Sequence, residues 1–339
     1  MIGTPQNILV INVTRIGDTL LATPALRALA RNWPQAAIDV LGHPNRIEVL
    51  AALPFLRRIG GISKRSAPWL GWLDSIAKPY DLALVYGFDS ALVRYALRVS
   101  RHVVAFRQGN DAIDRQLGTI VEAPGFQSVH AVRLALALPA AVGVKFNGGR
   151  LSYTVTPEER DWAAARIARD LPEHSKPIVG LQVASFPTKA YRDWPIESFV
   201  ELCHRILERW PNAHFLVFGG NEERSRTELL KSRLGPAATL YAGRLSLRQT
   251  GALMSRLDLY VGVDTGPTHM MSSFDIPLVC LYHGFSRSEL IGPLDHPCLF
   301  ALDHPFAGPD CSTDASMADI SVDQAFDKVC EALAWVPAK

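Results

Sequence analysis

The strongest constraint on the fold is an alternation, repeated in both halves of the chain, between short apolar runs and helical patterns. Nearly continuous apolar runs favour strands of parallel sheets that are covered on both faces. The predicted strands are Asn7–Val13, Ile38–Leu41, Leu82–Tyr86 and Val103–Phe106 in the first half, and Ile178–Val183, His214–Phe218, Leu257–Val263 and Leu278–Tyr282 in the second. The pattern predicts an α/β protein with two Rossmann-like, doubly wound parallel-sheet domains facing a cleft.

Turn and helix signals between the halves predict the domain boundaries. A capping box with proline at the first helical position, Thr156-Pro-Glu-Glu159, opens a helix that continues to about Asp170. We therefore expect an N-terminal domain at 1–155, a linker helix and loop at 156–175 and a C-terminal domain at 176–320. A final helix at 321–339 could pack back on the N-terminal domain.

Composition excludes several classes of protein. The chain has 339 residues, 48% of them hydrophobic and 20% charged, as in ordinary globular proteins. No apolar run approaches the length of a transmembrane helix, and the N-terminus lacks the regions of a signal peptide. The five cysteines are scattered without a Cys-x-x-Cys pair. These features predict a cytoplasmic protein with reduced thiols, without a disulfide framework or zinc site.

The charge is unevenly distributed along the chain. Residues 1–150 carry 17 Lys/Arg and 9 Asp/Glu (+8), whereas residues 151–339 carry 18 and 24 (−6). A basic first half suggests an anionic partner such as a phosphorylated substrate or an acidic membrane surface; a merely solvated basic surface is the alternative. Nucleic acid is disfavoured, because the arginines are not interleaved with exposed aromatic residues.

The most informative motif, Asp264-Thr-Gly-Pro267, follows the predicted strand Leu257–Val263 and precedes a predicted helix at Thr268–Phe274. A tight strand-to-helix turn directs backbone N–H groups to one point, which suits a phosphate. Gly266 permits close approach of a ligand, and His269, one turn into the helix, could add a donor.

Arg15-Ile-Gly-Asp18 occupies the equivalent position after the first predicted strand. A carboxylate projecting from this loop could act as a general base towards a hydroxyl group. Aspartate is also a good helix N-cap, so a capping role for Asp18 is the alternative.

Two further loops could contact a nucleotide. Phe186–Pro195 carries two cations, Lys189 and Arg192, that could neutralise a diphosphate, although a solvated basic loop would look the same. Phe218-Gly-Gly-Asn-Glu-Glu223 could place a carboxylate on ribose hydroxyls; its glutamates could instead favour a helix N-terminus.

Together these motifs resemble glycosyltransferase family 9, the family of the ADP-heptose:lipopolysaccharide heptosyltransferases. The similarity rests on Ile8–Arg31, on Val261–His269, on Lys189–Pro195 and on Gly219-Gly220 with the glutamates that follow. It extends to Ala36–Leu41 and Ile276–Leu281 and so spans most of the chain.

The resemblance implies a GT-B fold, inversion at the anomeric carbon and no metal or other cofactor. It places Asp18 as the catalytic base. It assigns the nucleotide sugar to a set of second-domain residues: Asp264, Thr265, Gly266, His269, Arg192, Lys189, Gly219 and either Glu222 or Glu223. Arg192 is the first choice for neutralising the diphosphate and Lys189 the second.

The sequence departs from the family after the strand that ends near Tyr282. Many family members have Gly-Pro-Thr-Asp there, whereas this chain has His283-Gly-Phe-Ser-Arg-Ser. The acceptor side varies across the family, and basic residues of the first half are the candidates for contacts with an acidic acceptor: Arg15, Arg57, Arg58 and Arg94, with Lys64, Arg65 and Arg107 beside them.

The leading hypothesis is transfer of heptose from ADP-heptose to an acidic lipopolysaccharide-core acceptor by a cytoplasmic protein, with peripheral attachment to the inner membrane face as an option. A GT-B-type nucleotide-sugar epimerase and a non-catalytic nucleotide-sugar-binding protein are the alternatives. An NAD-dependent oxidoreductase is disfavoured by the absence of a Gly-x-Gly-x-x-Gly motif.

Overall fold

The computed structural model describes residues 3–72, 75–125 and 127–336. The chain divides into two compact units, 1–154 and 155–339, so residues 156–175 group with the second unit. Each unit is built around one six-stranded sheet in which every paired strand is parallel to its neighbour. The predicted α/β class with two Rossmann-like parallel-sheet domains is confirmed.

The first unit has the strand order β3-β2-β1-β4-β5-β6. Its strands are β1 Asn7–Asn12, β2 Ala37–Gly42, β3 Arg58–Gly61, β4 Tyr80–Val85, β5 Ser100–Phe106 and β6 Thr119–Val121. Its helices are α1 Ile16–Leu21, α2 Thr23–Asn32, α3 Ser90–Val99, α4 Asp111–Asp114 and α5 Ala131–Ala140. The central strand β1 is fully buried from Ile8 to Ile11, because its apolar side chains project alternately from the two faces of the sheet and both faces are covered.

The second unit has the strand order β12-β11-β10-β7-β8-β9. Its strands are β7 Ile178–Gln182, β8 His214–Phe218, β9 Ala238–Leu240, β10 Leu259–Val263, β11 Leu278–Tyr282 and β12 Leu299–Asp303. Its helices are α6 Pro157–Asp170, α7 Ile196–Arg209, α8 Arg224–Leu234, α9 Leu247–Met254, α10 Gly266–Met271, α11 Ser288–Ile291 and α12 Val322–Ala334. The predicted capping box at Thr156 is present and opens α6.

Both sharp sequence motifs lie at topological switch points. In the first sheet the connections diverge between β1 and β4, and Asp18 follows the carboxyl end of β1. In the second sheet they diverge between β7 and β10, and Asp264 follows the carboxyl end of β10. Ligands of open α/β sheets bind in the crevice at such points, so the topology places both aspartates where a ligand is expected.

Helices α1 and α2 meet at Ala22, because the ring of Pro24, in the first turn of α2, cannot continue the backbone pattern of α1. Two details of the sequence prediction are corrected by the structure. The edge strands β3, β6, β9 and β12 were not predicted. The helix after Asp264 begins earlier than predicted, at Gly266, and ends at Met271.

The last helix, α12, belongs to the second unit. It packs against α7 and the strands β10, β11 and β12, where Ala325, Val329 and Ala332 are completely buried. The option of packing back on the N-terminal domain stays a prediction. No helix in the described part of the chain is long and apolar enough to cross a membrane. All five cysteines are free.

Candidate active site

The centre of the site in the second unit is the buried carboxylate of Asp264, which has only 2% of its surface exposed. One oxygen, Oδ2, accepts hydrogen bonds from Arg192 Nη1 at 2.7 Å and from Ser286 Oγ at 3.0 Å. The other, Oδ1, lies 3.3 Å from Nε2 of His269. The Asp264 side chain therefore joins the loop of Arg192, helix α10 and the segment after β11.

These contacts hold Asp264 in its charged form. Burial alone would raise the pKa of its carboxyl group, but the hydrogen bond from His269 and the charge of Arg192 outweigh that effect, and the pKa lies below its ordinary value. A buried anion that already has three partners is poorly suited to bind a second anion. Asp264 instead orients the groups around it.

The turn after β10 is held in place by the side chain of Thr268. Its Oγ1 donates to the carbonyl of Val263 at 2.6 Å and lies 3.0 Å from the hydroxyl of Tyr260. Thr265, the N-cap residue of α10, makes no side-chain cap hydrogen bond. The turn is thus held by Thr268, a residue of α10 itself. The N-cap residue, Thr265, has a short side chain and lies beside the predicted phosphate site.

The loop that presents Arg192 is closed by Asp193. Its Oδ1 accepts hydrogen bonds from both the backbone N–H and the hydroxyl of Ser185, each at 2.7 Å. Arg226 donates to the carbonyl of Trp194 at 2.7 Å, and Trp194 is fully buried and donates to the carbonyl of Ile320 at 2.9 Å. The loop that presents Arg192 therefore has a buried, hydrogen-bonded base.

The two predicted cations share one aromatic ring but differ in their partners. Lys189 Nζ and the guanidinium of Arg192 each lie 5.5 Å from the ring centroid of Tyr191. Arg192 also pairs with Asp264 and has only 21% of its side chain exposed. Arg192 is therefore held in place by an ion pair, whereas Lys189 has no ion pair within the described residues.

His269 lies one turn into α10 and is 5% exposed. With Nε2 directed at Asp264, the opposite ring nitrogen, Nδ1, is buried and has no hydrogen-bond partner among the described residues. A buried ring nitrogen without a partner is costly unless a ligand or water satisfies it. His269 is thus prepared for one more polar contact.

The two glutamates after β8 are in different surroundings. The carboxylate of Glu223 accepts a hydrogen bond from the backbone N–H of Gly220 and closes the Gly219-Gly220 turn, in which Gly219 has a φ of +150°. Burial raises the pKa of Glu223. Glu222 is exposed. Glu223 thus has a structural task, and Glu222 is the more accessible candidate for ribose.

The segment after β11, which departs from the family pattern, supplies a site residue that sequence reasoning missed. His283 is completely buried; its Nδ1 accepts from the N–H of Phe285 at 3.0 Å and its Nε2 donates to the carbonyl of Ala315 at 3.0 Å. This geometry turns the chain so that Ser286 reaches Asp264. The signal for Ser286 in the sequence was only its position just beyond a predicted strand.

In the first unit, Asp18 is not a helix cap. The N-cap residue of α1 is Arg15, and Asp18 is the third helical residue, in the first turn. Its side chain is exposed and makes no hydrogen bond or ion pair within the described parts of the chain. The capping interpretation is therefore wrong, and the carboxylate is available to solvent at the carboxyl end of β1.

Two residues predicted to contact the acceptor, Arg57 and Arg58, lie away from Asp18. Arg57 and Arg58 form ion pairs of 2.7 and 2.8 Å with the buried Asp39 of β2, whose Oδ2 also accepts from Tyr80. Burial would raise the pKa of Asp39, but these hydrogen bonds lower it to about 2. Arg57 also contacts the first residue of β1, so the cluster lies at the amino ends of the strands, opposite to Asp18. That placement argues against acceptor contacts for both arginines.

The other two predicted acceptor contacts, Arg15 and Arg94, have exposed side chains. Arg15 precedes α1 at the same edge as Asp18, whereas Arg94 lies in the middle of α3. Both stay predictions. No group of three or more His, Cys, Asp or Glu residues with a metal-binding arrangement occurs in residues 3–72, 75–125 and 127–336. The expectation of metal-independent chemistry likewise stays a prediction.

Comparison with known proteins assigns this architecture. The family model described as glycosyltransferase family 9 (heptosyltransferase) matches residues 77–307. The chain belongs to glycosyltransferase family 9. It is therefore an enzyme that transfers a sugar from a nucleotide sugar, which disfavours the epimerase and non-catalytic alternatives.

Two curated relatives match most of the chain. Lipopolysaccharide heptosyltransferase 3 of Escherichia coli is 24% identical over 281 residues, or 78% of this chain and 80% of the relative. Lipopolysaccharide core heptosyltransferase OpsX of Haemophilus influenzae is 20% identical over 300 residues, or 86% of this chain and 84% of the relative.

Solved structures confirm the GT-B fold. A glycosyltransferase family 9 protein from Veillonella parvula has a TM-score of 0.82 at 16% identity, covering 97% of both chains. The ADP-heptose lipopolysaccharide heptosyltransferase II of Escherichia coli has a TM-score of 0.79 at 19% identity, covering 96% of this chain and 98% of that one.

Proposed function

We propose that this family 9 enzyme transfers a heptose from ADP-heptose to an acidic acceptor of the lipopolysaccharide core. The names of the two curated relatives support heptosyl transfer in lipopolysaccharide biosynthesis. The excess of basic residues in the first 150 positions supports an acidic acceptor. The proposed donor follows the ADP-heptose named for a structural relative.

The observation that carries the proposed chemistry is the state of Asp18. A carboxylate that is exposed, unpaired in the described parts of the chain and placed at a sheet switch point can accept a proton from a bound ligand. Neither capping nor ion pairing explains its presence there. Asp18 therefore fits a general base.

In the proposed reaction, Asp18 accepts the proton of an acceptor hydroxyl group. The oxygen then attacks the anomeric carbon of heptose from the face opposite the phosphate. As the new carbon–oxygen bond forms, the bond from the anomeric carbon to the phosphate oxygen breaks, and ADP leaves with that electron pair. A single displacement of this kind inverts the anomeric configuration.

The second unit would hold the departing ADP. Arg192, oriented by Asp264, would supply a fixed positive charge to the diphosphate, and Lys189 a second one. The backbone at Thr265 and Gly266 would bring N–H donors close to the phosphates. The Nδ1 of His269, which has no hydrogen-bond partner among the described residues, would give the same ligand a further contact. Stabilising charge that develops on the leaving group lowers the barrier to transfer.

We propose that these cations perform the charge stabilisation without a metal. Transfer in the presence of EDTA should therefore equal transfer in its absence. Activity that disappears with EDTA and returns with one added divalent cation would show that the cations alone are insufficient.

The proposal also includes a ribose contact from Glu222 and peripheral attachment to the inner membrane face. The exposure of Glu222, compared with the internal hydrogen bond of Glu223, supports the first. A glycolipid acceptor would account for the second, since such an acceptor is held in a membrane.

The experiment is a matrix of donors and acceptors followed by mass spectrometry. ADP-heptose is compared with UDP-, GDP- and dTDP-sugars, each with lipopolysaccharide-core acceptors of different length. We expect the mass increment of one heptose with ADP-heptose and at least one core acceptor. Sugar-nucleotide isomerisation without any acceptor, or transfer from another nucleotide sugar only, would contradict the proposal.

A further inference from the structure

An unusual group of exposed apolar side chains lies between β3 and β4. Trp69 is 82% exposed, Trp72 62%, Leu70 42% and Ile76 95%. Isolated exposed apolar residues are common, but a cluster with two tryptophans within one loop marks an interaction surface. We call Trp69, Leu70, Trp72 and Ile76 the tryptophan patch.

The patch has a well-anchored base. Ala67 is completely buried, and Arg98, in the last turn of α3, donates to the carbonyls of Ala67 and Leu70. Gly71 has a φ of +76°, and a Cβ there would lie 2.6 Å from a methyl carbon of Val99. Such a close approach requires glycine, so the loop is packed tightly on α3 while its apolar side chains point outward.

The side chain of Trp72 is prepared for an apolar environment. Its indole Nε1 donates to the carbonyl of Pro68 at 2.8 Å, so burying the ring leaves no unpaired donor. The guanidinium of Arg98 lies 5.0 Å from the same ring and holds its orientation. Indole rings combined with flanking cations are typical of the membrane–water interface.

The charge around the patch matches an anionic surface. The connection between β3 and β4 contains Lys64, Arg65 and Lys78 but only one acidic residue, Asp74. Lys78 lies just before β4 and Arg98 in the last turn of α3, so both are at the amino ends of the strands, as the patch is. Lys64 instead pairs with Asp89 at 3.1 Å, at the other end of α3. Basic side chains beside interfacial tryptophans attract anionic lipid head groups.

From these observations we infer that the tryptophan patch docks the enzyme on an anionic lipid bilayer. This inference extends the proposed function, because a lipopolysaccharide-core acceptor would be held in a membrane. The indole and aliphatic side chains enter the head-group region, and the adjacent cations contact the lipid phosphates. Docking thus uses a surface separate from the Asp18 loop.

The separation follows from the position of the patch along α3. The helix starts next to the carboxyl ends of the strands, where Asp89 caps it, and ends at the amino end of β5. Because Arg98 contacts the patch from the last turn, the patch lies towards the opposite end of the sheet from Asp18. Changes in the patch should leave the chemistry of a soluble acceptor intact.

The test is sedimentation of the full-length protein with vesicles of phosphatidylcholine, with and without phosphatidylglycerol. Wild type should bind the phosphatidylglycerol vesicles, more weakly as NaCl rises. W69A/I76A, which changes two highly exposed side chains, should reduce the partition coefficient roughly tenfold. F306A is the matched control, since Phe306 is a 72% exposed aromatic residue of the second unit and should leave the partition unchanged.

The outcomes separate this inference from the proposed function. W69A/I76A should retain wild-type turnover on a delipidated, water-soluble core acceptor while losing vesicle binding. Vesicle binding through the patch by a protein that transfers no heptose would contradict the proposed function and leave the docking surface standing. Absence of wild-type binding, or equal binding by W69A/I76A, overturns the inference. A change of oligomeric state in W69A/I76A without a change in vesicle binding would assign the patch to a second copy of the chain.

Discussion

The segments after β1 and β10 are built alike, but their aspartates differ in burial and in hydrogen-bond partners. In each, a buried central strand is followed by a helix of six residues; Asp264 precedes α10, whereas Asp18 lies in the first turn of α1. Asp18 is exposed and has no partner in the described parts of the chain, whereas Asp264 is buried and contacts Arg192, His269 and Ser286. The surroundings, and not the motif, decide whether such an aspartate is available to react or serves to hold its neighbours.

The sharpest way to test this difference is to remove the buried carboxylate. D264A leaves Arg192 and His269 without their anion in a largely desolvated position, and breaking a buried pair typically costs about 3–5 kcal/mol of unfolding free energy. We expect a loss of that order in urea unfolding. D18A removes an exposed side chain and should change the unfolding free energy by less than about 0.5 kcal/mol. Equal destabilisation by both variants would contradict the proposed difference, in which Asp264 stabilises the fold and Asp18 does not.

Donor affinity gives the next largest effect. R192A removes the oriented cation and should weaken ADP binding by roughly 10- to 100-fold, since hydrogen bonds to charged groups contribute about 1.5–3 kcal/mol. K189A removes a charge that no ion pair orients within the described residues, and it should weaken ADP binding about threefold. Isothermal titration calorimetry with ADP measures both. A larger loss in K189A would reverse the assignment of the main diphosphate cation.

Acid should weaken the Asp264 interactions. Because the pKa of Asp264 is lower in the folded protein than its usual 3.8, its contribution to stability is present above about pH 4 and is lost as pH falls through the folded value. The difference in unfolding free energy between wild type and D264N should therefore shrink below pH 4. A difference that grows on acidification would contradict the lowered pKa.

The smallest effect is expected from Ser286. S286A removes one of the hydrogen bonds to Asp264 and should cost about 1 kcal/mol of unfolding free energy, because single hydrogen bonds contribute about that much. S232A, a change on the exposed surface of α8, is the control and should be neutral. No difference between the two variants would show that the contact from the His283 segment does not hold Asp264.

The sequence predicted the eight inner strands and missed the four edge strands, for a physical reason. Inner strands such as β1 and β10 are covered on both faces and so carry nearly continuous apolar runs. The edge strands are partly exposed, and β3 reads Arg-Ile-Gly-Gly, which has no apolar run. Strand β12 is the exception, because Leu299–Asp303 begins with an apolar run that the prediction overlooked. The positions of the central loops, and with them Asp18 and Asp264, could therefore be predicted from the pattern.

The partners of each site residue could not be predicted in the same way. Asp264 meets Ser286 because the buried imidazole of His283 folds the segment after β11, a contact that has no local sequence signature. Arg57 and Arg58 looked like acceptor contacts because only their charge was visible. Their pairing with Asp39 depends on the register between β2 and the unpredicted edge strand β3.

The most direct test of the central claim is single-turnover transfer by D18N with saturating ADP-heptose and a core acceptor. D111N is the matched control, since Asp111 is also exposed in the first turn of a short helix. We predict that D18N loses transfer by roughly 10²- to 10⁴-fold while its ADP affinity and unfolding free energy stay at wild-type values, as expected for a general base. Transfer by D18N at the rate of wild type and D111N would contradict the account.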